Sequence, residues 1–202
     1  LLIPVTDAFA EIHRRGYVHG DIKLRNLITD EHITALIIID FGFAQLIGQP
    51  LLGMTEFYAA PELFGALAEK SAFAEQDVWS WTQTIVLLLF PSLYGRFREI
   101  EDPTDPLSFI ARIDIIDRKL RRKTQEWDLP LYKIMRPWFQ MDPRRRPPMK
   151  TVSQRLRHLL HAVRVKEARD DFDVGERVLH SARTPKRKLS SSQVPRVVSS
   201  RF

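Results

Sequence analysis

Cysteine is absent from this sequence of 202 residues. That absence excludes disulfide bonds and zinc sites built on cysteine ligands, and it fits an intracellular protein, cytoplasmic or nuclear. Long hydrophobic runs are missing too. The longest, residues 85–90, is far shorter than the roughly 20 residues that a membrane-spanning helix needs. We therefore expect no membrane partner.

Excess charge is scarce over most of the chain, because it is concentrated near the C-terminus. Residues 164–202 contain ten Lys or Arg against five Asp or Glu, so they carry most of the formal net charge of +6. The rest of the chain is close to neutral, so the basic isoelectric point is a property of the C-terminal segment. We therefore do not expect the folded part to bind nucleic acid specifically. We expect residues 1–163 to form one folded domain and residues 164–202 to form a basic, Ser-rich, disordered tail.

A dense group of polar residues stands out in two predicted loops. The loops are residues 19–26, His-Gly-Asp-Ile-Lys-Leu-Arg-Asn, and residues 40–42, Asp-Phe-Gly. They contain two carboxylates, one lysine and one carboxamide. Phosphoryl transfer needs these groups: a base for the incoming hydroxyl, a cation for the phosphate, and hard oxygen ligands for Mg²⁺.

The two loops resemble the catalytic loop, H-R-D-x-K-x-x-N, and the metal-binding loop, D-F-G, of the eukaryotic protein kinase family. Three further matches follow in the family's order: residues 60–62 match A-P-E, residues 77–80 match D-x-W-S, and residues 142–147 match D-P-x-x-R-P. The resemblance covers residues 1 to about 163. It implies a mainly α fold, the large C-terminal lobe of a kinase, with helices around a buried central helix and a short β-hairpin at the active-site face.

The resemblance also implies roles for individual residues. Asp21 would accept or orient the proton of the substrate hydroxyl, and Lys23 would neutralise charge on the transferring phosphate. Asn26 and Asp40 would hold Mg²⁺, which accompanies ATP. The hydroxyl of Thr55 would bridge Asp21 and Lys23, and this pair of features indicates a kinase that acts on serine or threonine residues of a protein substrate.

Other residues would shape the site without chemistry. Ile28 would lie beneath the adenine, or would simply be a core residue. His19 and Phe41 are expected to pack, and Gly42 to supply a backbone turn that other residues resist. Asp77 should accept backbone N–H bonds from the catalytic loop. Two residues distant in sequence, Glu62 and Arg146, should form a buried ion pair.

One departure from the pattern concerns Gly20, which replaces the arginine of H-R-D. In the family that arginine pairs with a phosphate on the activation loop. Residues 43–54 contain no Ser, Thr or Tyr, so the phosphate acceptor and its receiver are missing together. We expect a kinase that is not switched by phosphorylation of this loop.

The small lobe of a kinase has no counterpart in this sequence: there is no Gly-rich loop and no V-A-I-K lysine. We therefore expect a truncated kinase that is nearly silent alone, with an apolar face around Ile28 and Phe41 open to a partner. Two alternatives stay open. One is a catalytically inactive binding module, a pseudokinase or fragment. The other is an atypical kinase or small-molecule phosphotransferase, since such enzymes also carry His-Gly-Asp, although Lys23, residues 60–62 and Arg146 argue against it.

Hydrophobic spacing gives the expected elements. Helices are predicted over residues 6–15, 77–90, 107–119, 131–139 and 149–163, the fourth ending or kinking at Pro137. Strands are predicted over residues 27–28 and 35–39. Residues 40–62 are expected to be mostly loop, and residues 96–106 a surface connection.

Overall fold

The computed structural model describes residues 1–32, 34–65, 68–100, 102, 105–121 and 128–183. The chain divides at Val163 into two units, Leu1–Val163 and Arg164–Phe202. All residues of the candidate site lie in the first unit. That unit is mainly α-helical, as the sequence predicts, and it contains two small antiparallel sheets.

The described residues form six α-helices and four short strands. The helices are α1 Leu2–Arg14, α2 Ala74–Leu89, α3 Leu93–Arg98, α4 Pro106–Arg121, α5 Asp128–Met135 and α6 Met149–Arg183. The strands are β1 Tyr17–Val18, β2 Leu27–Thr29, β3 Leu36–Ile38 and β4 Gln45–Leu46. Short 3₁₀ turns cover Leu24–Asn26, Pro61–Leu63, Arg136–Trp138 and Pro143–Arg145.

Helix α2 is the buried centre of the first unit. Apolar side chains on several of its faces, among them Trp79, Trp81 and Ile85, are fully buried, whereas Leu88 and Leu89 at its C-terminal end are partly exposed. A helix that is apolar all round can only be stable inside a core, and this one was predicted on that basis. It begins three residues earlier than predicted, where the Gln76 side chain accepts the Phe73 N–H at 3.1 Å and so caps the first turn.

The predicted hairpin is present. Strands β2 and β3 pair antiparallel with Ile28 opposite Ile37. A second pairing was missed. Strand β4 lies in the segment expected to be loop, and it pairs with β1 through Val18 opposite Gln45. Two-residue strands carry too little alternation to be recognised from sequence.

The start of α1 and the presence of α3 also differ from the prediction, for clear physical reasons. Helix α1 begins at Leu2 because Val5 is buried in the core, and because Pro4 sits in the first turn, where a missing N–H costs nothing. Helix α3 occupies part of the predicted surface connection, since Leu93 and Phe97, one turn apart, are both buried. Helix α5 stops at Met135, just before Pro137, as expected.

The last helix is longer than predicted. It continues past residue 163 to Arg183, so part of the segment expected to be a disordered tail is helical. Our prediction followed apolar periodicity, which fades near Val163, whereas the following residues are rich in Arg, Lys, Glu and Ala, which are good helix formers. The rest of the expected tail, residues 184–202, lies outside the described residues.

Candidate active site

The loop that carries Asp21 is held from below by the carboxylate of Asp77, in the first turn of α2. Asp77 Oδ2 accepts the His19 N–H at 2.7 Å, and Oδ1 accepts the Gly20 N–H at 3.0 Å. Asp77 is almost fully buried. Because both oxygens of a buried carboxylate accept backbone donors, the path of the loop before Asp21 is fixed.

His13 contributes to the same anchor, and sequence reasoning missed it. Its Nε2 lies 2.9 Å from Asp77 Oδ2, so helix α1, helix α2 and the loop share one buried carboxylate. The only signal in the sequence was a histidine near the end of an amphipathic helix. That signal is weak, because such a residue is usually a surface or core residue without a special partner.

Three predicted catalytic side chains meet in a triangle. Lys23 Nζ lies 2.6 Å from Asp21 Oδ2 and 2.9 Å from Thr55 Oγ1, and Thr55 Oγ1 donates to Asp21 Oδ1 at 2.6 Å. Thr55 therefore bridges the other two as expected, although it lies 34 residues from Asp21 along the chain. The contact is observed, and its part in catalysis stays a prediction.

The charge state of Asp21 follows from its surroundings. Burial raises the pKa of its carboxyl, but hydrogen bonds from Lys23 and Thr55, the charge of Lys23 and a hydrogen bond from Asn26 together outweigh burial, so the pKa lies below its ordinary value. The group is therefore a carboxylate at neutral pH. It can accept a hydrogen bond from an incoming hydroxyl.

Asn26 and Asp40 come together where the hairpin ends. Asn26 is buried, and its side-chain Nδ2 donates to the main-chain carbonyl of Asp21 at 2.8 Å. The main-chain carbonyl of Asn26 accepts the Ile39 N–H at 3.0 Å. The next residue is Asp40, whose carboxylate is exposed. One amide oxygen and one carboxylate thus project from adjacent backbone, a donor set that suits Mg²⁺.

The backbone of Asp40 is unusual. Its φ of 63° lies in the left-handed region, and it is the sole non-glycine residue with positive φ among those described. Its Oδ1 accepts the Gly42 N–H at 3.2 Å, which is a local bond of the kind that lets aspartate tolerate this conformation. Strained backbone of this kind clusters at functional sites.

The prediction for Gly42 requires correction. Its φ does not fall in the left-handed region, so the turn there does not demand glycine for conformational reasons. A side chain is limited instead by a close neighbour, because a Cβ would lie 3.2 Å from Asp40 Oδ1. Within the loop that carries Asp21, glycine is required at Gly20, where φ is 79° and the Phe43 carbonyl oxygen lies 2.6 Å from a Cβ position.

The apolar residues around the site divide into buried and exposed ones. His19 is fully buried, and its ring contacts those of Phe9 and Phe41, with centroids 5.8 and 5.0 Å apart, so it is a packing residue as expected. Ile28 and Ile37, opposite each other on the hairpin, and Phe41 remain about half exposed. Whether Ile28 supports an adenine stays a prediction.

The expected pair between Glu62 and Arg146 is present and buried. Arg146 Nη1 and Nη2 lie 2.6 and 2.7 Å from the two oxygens of Glu62, and the Arg146 side chain is completely buried. Further donors reach the carbonyls of Gln140 and Glu75, at 2.8 and 3.0 Å. The pair ties the end of the segment that carries Thr55 to the chain that leads into α6.

The comparisons with known proteins agree with this geometry. A family model described as the protein kinase domain matches residues 2–158. One similar protein is the kinase of Saccharomyces cerevisiae named fatty acyl-CoA synthetase and RNA processing-associated kinase 1. It is 31% identical over 150 residues, which cover 71% of this chain and 17% of that protein.

Two human proteins are also similar. The hormonally up-regulated neu tumor-associated kinase is 28% identical over 149 residues, covering 69% of this chain and 19% of that protein. The serine/threonine-protein kinase DCLK3 is 30% identical over 120 residues, covering 56% of this chain and 17% of that protein. The matched region is therefore about a fifth of the length of these curated relatives or less.

No helix in the described part of the chain combines the length and apolar character that crossing a membrane requires.

The family of this chain follows from three findings together. They are the five sequence motifs in register, the contacts that join these motifs, and the match of the family model over residues 2–158. This chain belongs to the protein kinase family.

Proposed function

We propose that this protein transfers a phosphoryl group from Mg·ATP to serine or threonine hydroxyls of a protein substrate. The observation that carries the proposal is the triangle of Asp21, Lys23 and Thr55, in which a carboxylate, an ammonium and a hydroxyl lie within 2.9 Å of one another. Phosphoryl transfer depends mostly on positioning and electrostatics, and a preformed triangle supplies both.

The chain's own residues have distinct parts in this proposal. Asp21 holds the acceptor hydroxyl and takes its proton, and Lys23 holds the negative charge of the group being transferred. Thr55 keeps these two side chains in register. Lys23 and Thr55 are also the features that favour serine and threonine over tyrosine as acceptors, in agreement with the similarity to a serine/threonine kinase.

The residues present fit Mg²⁺ and a nucleotide. Asn26 and Asp40 provide two hard oxygens from adjacent backbone, which is the usual number of protein ligands for Mg²⁺ in a nucleotide site. The ion, when bound, neutralises charge on phosphate oxygens. Ile28 offers an exposed apolar surface on the same hairpin for the base. All residues named in this proposal lie within residues 1–163. An intracellular location, cytoplasmic or nuclear, fits the lack of cysteine.

A second candidate function is a binding module without catalysis. The half-exposed side chains of Ile28 and Ile37, which lie opposite each other on the hairpin, and of Phe41 favour it, because exposed apolar groups are common where another protein surface docks. The two functions differ in one respect. A binding module would use this face and would not require the charges of Asp21 and Asp40.

A phosphorylation assay on the full-length protein separates the two. Transfer of radiolabelled phosphate to serine-containing and tyrosine-containing peptides is measured for the native protein and for Asp21→Asn. We expect transfer to serine alone, reduced by about 10²–10⁴-fold in the variant, the usual contribution of a positioned acid–base group. An unchanged rate in Asp21→Asn would overturn the assignment. No transfer in a native protein that still folds would favour the binding module.

A further inference from the structure

Arg112, on helix α4, is a buried guanidinium with no acidic partner in the part of the chain that the structure describes. Its residue exposure is 1%, and its Nε and Nη2 find no hydrogen-bond acceptor among the residues that the structure describes. Burial lowers the pKa of its side chain to about 10, which still leaves it charged at neutral pH. A buried charge without a counter-ion is costly, so its presence calls for an explanation.

Two contacts of Arg112 lead to Phe57, in the segment that carries Thr55. Nη1 donates to the Phe57 carbonyl at 3.0 Å, and the guanidinium carbon lies 5.2 Å from the Phe57 ring centroid and 5.4 Å from that of Phe109. One aromatic face and one carbonyl of the same residue thus hold the cation. These are charge-assisted and cation–π contacts, which are strong when desolvated.

A second helix binds the same carbonyl. Gln83 Nε2, on α2, donates to the Phe57 oxygen at 2.5 Å, and Gln83 is also buried. Both lone pairs of one loop carbonyl are therefore used by side chains from two different helices. Loops seldom have their backbone fixed in this way, and the arrangement leaves Phe57 little freedom to move.

The held carbonyl lies inside a tight turn that starts at Thr55. The N–H groups of Tyr58 and Ala59 both donate to the Thr55 carbonyl, at 2.9 and 3.1 Å, and Phe57 lies within that turn. If the turn is fixed at Phe57, the hydroxyl of Thr55 is fixed with it, 2.6 Å from Asp21.

We propose that Arg112 is a positioning residue that, through the Phe57 carbonyl, holds the Thr55 hydroxyl against Asp21. The proposal rests on the proposed function, because it gives the Thr55 hydroxyl a part in the site. Arg112 itself touches neither Asp21 nor Lys23. Its effect on phosphoryl transfer is therefore indirect.

Hydrogen exchange on the chain of residues 1–202 tests the structural part without requiring any activity. In Arg112→Met we expect the amides of Tyr58 and Ala59 to exchange about tenfold faster or more, the factor expected when one charged hydrogen bond is lost. The exchange rates of amides inside α2, such as that of Val86, should not change. Arg112→Met removes a buried unpaired charge and leaves the apolar contacts of the core in place. Arg112→Lys, which keeps a cation and a donor, should restore part of the protection.

Arg118→Met is the matched control, because Arg118 lies on the same helix and is exposed. Among the described residues, its side chain donates to the Asp114 carbonyl alone. It should leave Tyr58 and Ala59 as in the native chain. Native exchange at both amides in folded Arg112→Met would overturn the proposal, and so would a uniform increase throughout α2. If Arg112→Met does not fold, Gln83→Met and Arg112→Lys replace it, since each weakens one hydrogen bond to the Phe57 carbonyl. Unchanged exchange of the Tyr58 and Ala59 amides in both variants would contradict the proposal.

Kinetics of the full-length protein test the functional part. Arg112→Met should lower kcat for a serine peptide and leave KM for ATP unchanged, because the turn serves Asp21 and Lys23 rather than the nucleotide. A change confined to KM for ATP would overturn the assignment. Should the native protein transfer no phosphate at all, the proposed function fails, while hydrogen exchange still decides whether Arg112 holds the turn.

Discussion

Arg146 donates hydrogen bonds to both carboxylate oxygens of Glu62, at 2.6 and 2.7 Å, although 84 residues separate the two along the chain. The guanidinium carbon also lies 5.1 Å from the ring centroid of Trp79. The pair therefore joins three segments of the first unit: the end of the Thr55 segment, the chain before α6, and the central helix. Its value for stability depends on what is left behind when one partner is removed.

Glu62→Ala should destabilise the protein by about 3–5 kcal/mol, because it leaves the Arg146 cation buried without a counter-ion. Chemical unfolding measures the loss. Arg144→Ala is the matched control, since Arg144 pairs with Asp142 while 88% of its side chain is exposed, and it should cost less than about 1 kcal/mol. Replacing both partners, as Glu62→Leu with Arg146→Met, should recover most of the stability. Equal losses in the free energy of unfolding for Glu62→Ala and Arg144→Ala would show that the buried Glu62–Arg146 pair stabilises the protein no more than an exposed one.

Contacts between motif residues could be predicted because the kinase pattern fixes which residues meet. Thr55 against Asp21, Asp77 against the loop at His19, and the pair just described were all expected from their places in that pattern. None of them could have come from periodicity or composition, since each joins residues far apart in the chain.

The supports outside the motifs could not be predicted. Arg112 and Phe57 are 55 residues apart, and nothing in a sequence says that a charge among apolar residues on a helix will turn inward. The φ of Gly20 is equally hidden, because a glycine in a loop is compatible with many conformations. Helix α6 beyond Val163 was missed since it lacks an apolar stripe, which is the main signal for a helix.

Alkaline pH should reveal the environment of Tyr58. Burial raises the pKa of its phenol to about 12, above its ordinary value of about 10. The folded state therefore keeps this proton longer than the unfolded state. The associated stability is complete below pH 10 and is lost as pH rises to about 12, with a size on the order of 2 kcal/mol.

Urea unfolding at a series of pH values across this range should show the native protein losing stability faster than Tyr58→Phe, which has no proton to lose there. The stability of the native protein relative to that of Tyr58→Phe should therefore fall as the pH rises towards 12. Parallel curves for the two proteins would contradict the burial of a neutral phenol.

Gly20→Ala should destabilise the protein through two separable effects. The φ of 79° is unfavourable for alanine, and the new Cβ would lie 2.6 Å from the Phe43 carbonyl oxygen. Gly16→Ala carries the first effect alone, because Gly16 has φ of 82° and no neighbour within 4 Å of its Cβ position. We expect roughly 1–2 kcal/mol for Gly16→Ala and clearly more for Gly20→Ala in chemical unfolding.

The same geometry bears on Gly20→Arg, which restores the arginine of the family pattern. It should be at least as destabilising as Gly20→Ala, since the loop before Asp21 is fixed by Asp77 and cannot shift to admit a Cβ. Equal stability of Gly20→Arg and the native protein, measured by the same unfolding experiment, would show that the loop is more adaptable than its contacts suggest.

Independence from activation-loop phosphate is a further expectation. Gly20 offers no receiver, and residues 43–54 contain no Ser, Thr or Tyr. The backbone of the segment is instead tied down by direct bonds, such as the Leu51 N–H to the Lys70 carbonyl at 2.8 Å. Phosphatase treatment of active full-length protein should therefore leave peptide phosphorylation unchanged. A large loss that maps to Thr55 or to the serines at 190–192 would instead identify a different switch.

Asp40→Asn tests the proposed Mg²⁺ ligand. Asparagine tolerates the left-handed backbone at this position and keeps the local oxygen for the Gly42 N–H, so the variant removes the charge while keeping the conformation. Calorimetric titration of the full-length protein with ATP, with and without Mg²⁺, should show that Mg²⁺ strengthens ATP binding to the native protein. In the presence of Mg²⁺, the variant should bind ATP at least about 10-fold more weakly than the native protein.

Asp114→Asn, at an exposed carboxylate on α4, is the control and should bind Mg·ATP like the native protein. The melting temperature of Asp40→Asn should also be native, because the Asp40 carboxylate is exposed and forms none of the observed salt bridges of the described residues. These two controls separate loss of a ligand from loss of structure. Mg²⁺-dependent binding of native strength in Asp40→Asn would mean that another oxygen holds the ion, and Asn26 would then be the residue to change next.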